Sequence, residues 1–269
     1  MIEKMHKTIQ HREYGRGPRL ILMHGWGGTP KQWRFIIPSL MDRYCVTVLD
    51  LSQLFTSTNG LSFENMLHCV EEYCLKNFGH ESLHVVGQCL GGGLGWALAS
   101  RGRLKVERLD LLNPTIPCRV DDLLLPEARY FFVLIVQKTG IIRLLSMPIG
   151  QSLMKRAGTL FFQKSIKRIR ATRFDRVASA IVHVSHLLRT EDWKEWEDGL
   201  KSMTVPITLV WSMDDILFKP EAYVRFAQDL QNVSVIKLDK GGHLISLACP
   251  DTVLKIIEGT TQSATSAAS

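Results

Sequence analysis

The stretch Gly87-Gln88-Cys89-Leu90-Gly91-Gly92-Gly93 sets one cysteine midway between two glycines, where the apolar run Leu83–Val86 gives way to Leu90–Ser100, whose apolar residues fall at helical spacing. Gly-x-Cys-x-Gly at a strand-to-helix junction is the nucleophile-elbow pattern with cysteine in the serine position. The chemistry explains the spacing. A nucleophile displayed on a sharp, strained turn needs neighbours without side chains two residues before and after, so that strand and helix can pack closely. At a helix N-terminus, free N–H groups and partial positive charge favour an anion, first a thiolate and then an oxyanion. A thiol of this kind needs a base whose pKa lies near neutrality. Gly241-Gly242-His243 presents one imidazole on a short glycine loop after the apolar run Val233–Leu238. Of nine histidines, His243 alone sits at a strand exit in the third place of the chain order nucleophile, acid, base. The acid falls between them. Asp214 and Asp215 follow the run Ile207–Trp211, and spacing from the strand end favours Asp215. A carboxylate there would hold His243 in the productive tautomer and stabilise its imidazolium.

A fourth stretch, His24-Gly25-Trp26-Gly27-Gly28, follows the apolar run Leu20–Met23. A loop in that place supplies one backbone donor to an oxyanion, and the residue after the nucleophile supplies the other. The backbone N–H groups of Trp26 and Leu90 are the expected pair. His24 reads as a residue that orders this loop by hydrogen bonding rather than as a catalytic group.

These residues need a scaffold, and the chain alternates short apolar runs with helical stretches throughout. Thr8–Tyr14, Leu20–Met23, Val46–Leu49, Leu83–Val86, Leu109–Leu112, Ile207–Trp211 and Val233–Leu238 read as strands. Lys31–Met41, Phe63–Asn77, Leu90–Ser100, Glu221–Leu230 and Thr252–Glu258 read as helices. That alternation predicts a mostly parallel sheet covered on both faces. From Pro117 to Lys201 it breaks into apolar and basic helical segments, so the expected organisation is a core of residues 1–116 and 202–259 with a helical cap over 117–201. Residues 260–269, rich in Ser, Thr and Ala, read as a disordered tail. At 269 residues, 45% hydrophobic and 22% charged, the chain is long enough for one large domain and has the balance of a soluble globular protein. Its longest apolar run, Tyr130–Val136, is far short of the roughly 20 residues a membrane span needs, and Met1–Gln10 lacks the apolar core of a signal peptide. A cytoplasmic protein is expected. The six cysteines form no CxxC pair, so those other than Cys89 read as buried free thiols, and no metal ligand set is evident.

With these sites placed, the chain resembles the α/β-hydrolase superfamily from Leu20 to Glu258. The matching motifs are His24-Gly25-Trp26-Gly27-Gly28, Gly87-Gln88-Cys89-Leu90-Gly91-Gly92, Trp211-Ser212-Met213-Asp214-Asp215 and Gly241-Gly242-His243. The resemblance implies an α/β-hydrolase fold with a lid where Pro117–Lys201 inserts, and in the family pattern the acid stands three residues after the position of Ser212, which again selects Asp215. His-Gly-Trp-Gly followed by a helical cap is similar to carboxylesterases that cleave the pimeloyl-carrier methyl ester. Those enzymes use serine. Cysteine at the elbow is similar to polyhydroxyalkanoate synthases, whose box also reads Gly-x-Cys-x-Gly-Gly, and to dienelactone hydrolases. The stretch Asp50-Leu51-Ser52-Gln53-Leu54-Phe55 departs from the Pro-Gly turn usual in the family, so a different pocket rim is expected there.

The expected activity is acyl transfer from an ester or thioester through an acyl-cysteine intermediate, of thioesterase or acyltransferase type, with a hydrophobic acyl group. A thiolate is both a stronger nucleophile near neutral pH and a better leaving group than an alkoxide. Whether water or another acceptor removes the acyl group stays open, as do two alternatives: simple carboxylic-ester hydrolysis and a non-catalytic ligand-binding protein of the same fold. The net charge of +7 is unevenly placed: between Gln151 and Thr190 the cap carries Lys155, Arg156, Lys164, Lys167, Arg168, Arg170, Arg173, Arg176 and Arg189 against a single acid, Asp175. That run reads either as a solvated helix face or as a docking surface for an acyl carrier protein or the phosphates of CoA. No nucleic-acid motif accompanies it. The apolar residues Leu123–Leu125, Phe131, Phe132, Leu134 and Ile135 read as the wall of an acyl pocket or as cap core. No metal or organic cofactor is implied, because a triad and two backbone donors suffice for acyl transfer.

Overall fold

Strands covered on both faces read as unbroken apolar runs, and those runs form the centre of one sheet. The structure, a computed structural model, describes residues 9–54, 62–118, 120–123 and 194–260. Among them, β1 (Gln10–Tyr14), β2 (Arg19–Met23), β3 (Cys45–Asp50), β4 (Leu83–Gln88), β5 (Val106–Leu112), β6 (Ile207–Ser212) and β7 (Val233–Leu238) pair in the order β1-β3-β2-β4-β5-β6-β7. β1 runs antiparallel to β3, from Gln10 opposite Asp50 to Tyr14 opposite Val46, and every other pair is parallel. The polar sequence QHREY suits that edge, since little of it is buried. Parallel pairing has a functional consequence. The loops that follow β2, β4, β5, β6 and β7 all leave from the same rim of the sheet, so His24, Cys89, Asp215 and His243 are delivered to one side.

The helices are α1 (Ile37–Leu40), α2 (Phe63–Phe78), α3 (Leu90–Arg101), α4 (Val120–Leu123), α5 (Lys194–Ser202), α6 (Pro220–Gln228), α7 (Ile245–Ala248) and α8 (Pro250–Ile257). In α2 the Ser62 hydroxyl accepts from the Asn65 N–H at 3.1 Å, a cap worth about 1 kcal/mol. Phe63, Met66, Leu67, Val70 and Cys74 then line its buried face at helical spacing. α3 is buried from Leu90 to Ala99 and ends at Gly102, whose φ of 65° is the left-handed stop that glycine tolerates. Two apolar clusters result, one on each side of the sheet. Phe63, Leu94, Trp96, Leu109 and Trp211 belong to the first, and Leu20, Trp33, Val86, Val210 and Ile256 to the second.

Three expectations change. The helix expected over Lys31–Met41 is a 3-10 turn at Pro30–Trp33 followed by the single turn α1, because Pro38 cannot donate into a continuous helical ladder. β5 starts at Val106, ahead of its apolar run. Arg108 there turns its guanidinium to the carbonyls of Ile256 and Ile257 (3.1 Å to the latter) at the end of α8, which satisfies a charge that obscured the strand pattern. The thiols of Cys69 and Cys74 are buried as expected, whereas Cys45, Cys118 and Cys249 are only half-buried.

The 117–201 segment enters between β5 and β6. Its last helix, α5, sets Trp196 edge-on against Phe63 of α2 and Trp96 of α3, with ring centroids 5.6 and 5.7 Å apart. Lys155, Arg156, Lys164, Lys167, Arg168 and Arg170, most of the apolar cap stripe and all of the tail after Thr260 lie outside the described residues.

Candidate active site

Cys89 occupies the turn between β4 and α3 with φ 54° and ψ −124°, a conformation that costs a non-glycine residue about 1–3 kcal/mol. Its neighbours hold it there. The Cys89 N–H donates to the Leu112 carbonyl at 3.1 Å, and its own carbonyl accepts from Gly93 (3.0 Å) and Thr115 (2.9 Å). The glycine requirement is steric: a Cβ on Gly91 would lie 2.4 Å from the Met23 carbonyl oxygen and 2.6 Å from that of His24. Both obstacles are backbone. Gly91→Ala is therefore expected to destabilise the fold by about 2–4 kcal/mol, read as a lower melting temperature. On the loop after β2, a Cβ at Gly25 would sit 2.6 Å from the Cys89 Cβ and 3.3 Å from its sulfur. The backbone of this loop thus passes at contact distance from the thiol, with Trp26 next in the chain and half-buried against the core. Leu90, across the thiol, is the first residue of α3.

The structure brings the imidazole and the carboxylate together. His243 Nδ1 donates to Asp215 Oδ2 at 2.9 Å and lies 3.2 Å from Oδ1, with His243 7% and Asp215 5% exposed. Asp215 Oδ1 also accepts the N–H groups of Leu217 (2.7 Å) and Phe218 (3.2 Å), so the carboxylate is pinned. The Phe218 ring stands edge-on to the imidazole at 4.9 Å. Burial lowers the His243 pKa, but the Asp215 carboxylate and then the adjacent Cys89 sulfur outweigh it and raise it to about 10. Asp214 faces elsewhere. It accepts the N–H groups of Gly241 (2.9 Å) and Gly242 (2.7 Å) and the Ser212 hydroxyl, which together hold its pKa low against the opposing effect of burial. Adjacent acids therefore divide the work: Asp215 touches the imidazole, and Asp214 shapes the glycine loop that carries it.

His24 behaves as a loop-ordering residue. Its Nδ1 donates to the Gly25 carbonyl at 2.9 Å and its Nε2 accepts the Leu51 N–H at 3.0 Å, which assigns the neutral tautomer from the bonding network. Leu51 belongs to the stretch that departs from the Pro-Gly turn. There the Asp50 carboxylate caps the Ser52 N–H at 3.0 Å instead. Sequence reasoning missed Gln88. This fully buried amide donates to the His243 carbonyl at 2.8 Å and accepts from Gln32 at 3.0 Å and from the Ser246 N–H at 3.3 Å. A lone polar residue closing an apolar strand was the available signal, since such a group must find partners.

An open, mostly parallel sheet with a cysteine on a strained turn after β4 and an Asp–His pair after β6 and β7 defines an enzyme of the α/β-hydrolase type. Residues 18–248 match the family described as "alpha/beta hydrolase fold", and the chain belongs to that family. It is 32% identical over 102 residues to the soluble epoxide hydrolase of Corynebacterium sp. (strain C12), a match spanning 37% of this chain but only 35% of that relative. It is 23% identical over 258 residues to the pimeloyl-[acyl-carrier protein] methyl ester esterase of Aeromonas hydrophila, covering 93% of this chain and 98% of the relative. Among solved structures, the Bacillus megaterium epoxide hydrolase superposes with a TM-score of 0.69 at 16% identity, covering 94% of this chain and 96% of the other, which is a likeness of fold. Among the described residues no helix is long and apolar enough to cross a membrane.

Proposed function

We propose that the protein catalyses acyl transfer from an ester or thioester through an acyl-Cys89 intermediate, with His243 as base and Asp215 as the acid that orients it. The observation that carries this reading is the buried Asp215–His243 hydrogen bond of 2.9 Å beside a cysteine on a strained turn. His243 takes the Cys89 proton, and the resulting thiolate attacks the substrate carbonyl carbon. The tetrahedral oxyanion is received by the backbone N–H groups of Trp26 and Leu90. As the carbonyl re-forms, the bond to the leaving alcohol or thiol breaks and the His243 imidazolium protonates it. In the second half, His243 deprotonates water or another acceptor, which attacks the acyl-thioester and returns the proton and the thiol. No metal is needed to balance either half.

The name of the Aeromonas relative supports a carrier-bound acyl substrate here, and the basic residues from Lys155 to Arg170 suit an acyl carrier protein or CoA as donor. The same name favours hydrolysis as a second reading, with water as the only acceptor. The test is intact-protein mass spectrometry after brief mixing with a panel of acyl-CoA and acyl-carrier donors, with and without candidate alcohols, amines and thiols. A mass gain equal to the acyl group, lost on Cys89→Ala, is expected. No adduct from any donor would sink the acyl-cysteine reading, and product formed only with water would favour the esterase.

A further inference from the structure

Asn113 follows β5, is fully buried, and has a φ of 40°, a left-handed backbone that asparagine tolerates better than most residues. Its backbone N–H donates to the Val210 carbonyl of β6 at 2.8 Å. Its side chain then bridges two loops. Oδ1 accepts the Ser212 N–H at 3.0 Å, while Nδ2 donates to the carbonyls of Gly242 (2.9 Å) and His243 (3.1 Å). Only an amide fits, because one partner is a donor and the other two are acceptors. The residues that follow reach the third arm of the site. The Thr115 N–H donates to the Cys89 carbonyl at 2.9 Å, and the Pro114 carbonyl accepts the Tyr223 hydroxyl at 3.0 Å. Asn113–Thr115 therefore touches each segment that carries Cys89, Asp215 and His243.

We infer that Asn113 is a positioning residue that sets the His243 imidazole against the Cys89 sulfur, an inference that rests on reading those two as the reacting pair. The Gln88 amide grips the same His243 carbonyl from another side at 2.8 Å. Loss of Asn113 thus leaves the base loop tethered by Gln88 and by Asp214 at the Gly241 and Gly242 N–H groups, so the fold survives, while the Gly242 and His243 carbonyls lose their common anchor and the thiol–imidazole alignment fails. Asn113→Gly accepts the positive φ and deletes the bridge. Asn113→Asp keeps the shape and the acceptor for Ser212, but an ionised carboxylate would face two carbonyl oxygens. Once protonated, it can donate to one of them.

The experiment follows alkylation of Cys89 by iodoacetamide in the full chain from about pH 5 to about pH 10, located by peptide mapping, with melting temperatures measured alongside; an ordinary thiol titrates near about 8.5. Wild-type Cys89 is expected to be alkylated at about pH 6 much faster than a free cysteine peptide treated alongside. Asn113→Gly should slow that alkylation near pH 6 about tenfold. Asn113→Asp should be impaired at neutral pH and recover part of the rate towards pH 5. If both variants keep the wild-type pH profile, whatever their melting temperatures, the positioning role is overturned. An ordinary thiol profile in the wild type would instead overturn the pairing of Cys89 with His243 itself.

Discussion

Replacing Cys89 by alanine is expected to lower kcat by about 10⁵-fold or more, the scale on which hydrolases lose activity when their nucleophile is removed. The effect should be confined to chemistry. Alanine keeps the Cβ that packs against Gly25 and suffers the same positive φ, so little changes in the turn except the sulfur. The melting temperature should stay close to wild type while both turnover and the acyl adduct vanish. Cys89→Ser separates the two readings of the second half-reaction. A serine hydroxyl is a far weaker acid than a thiol, so the imidazole cannot hold it as a standing anion and must deprotonate it during attack. Slower turnover of thioesters is the expected result. A several-fold gain in ester hydrolysis would remove the main support for transfer to an acceptor other than water.

Asp215→Asn is expected to cost about 10⁴-fold in kcat with little change in fold, the penalty this substitution carries when a histidine base is left in the wrong tautomer. The asparagine amide would donate to His243 Nδ1, forcing the remaining ring proton onto Nε2, the nitrogen required as base. The substitution also removes the first influence that raises the His243 pKa to about 10. The sign follows from linkage. The folded-state value exceeds the unfolded value of about 6.5, so the protonated imidazole adds stability that is complete below that pH and lost as pH rises towards 10. Wild-type melting temperatures should fall across this window. In Asp215→Asn the fall should flatten, because the neutral amide no longer favours the imidazolium. An unchanged slope in the variant would show that another group controls it.

Local spacing was enough to predict much of this protein. The apolar runs that became β2, β3, β4 and β6 are legible because both sheet faces are covered there, and a covered strand has no polar alternation to hide it. Gly87-x-Cys89-x-Gly91 and Gly241-Gly242-His243 are legible because a strained turn and a tight loop each demand particular residues within a few positions. The order of these motifs along the chain, together with parallel strands, already implied that they share one rim. Where the signal was local but misleading, as over Lys31–Met41, Pro38 overrode a helical pattern through its missing N–H.

What spacing could not decide was partnership across long separations. Spacing favoured Asp215 for the imidazole but carried nothing about Asp214, whose carboxylate the packing of the base loop sends to Gly241 and Gly242. Gln88 reaches His243 across 155 positions and Asn113 reaches Gly242 across 129, distances over which no periodicity carries information. The sequence by itself determined the fold class and singled out Cys89 and His243 for the proposed chemistry. Only the tertiary structure decided how they are held, because a buried hydrogen bond depends on which strand ends the sheet brings side by side.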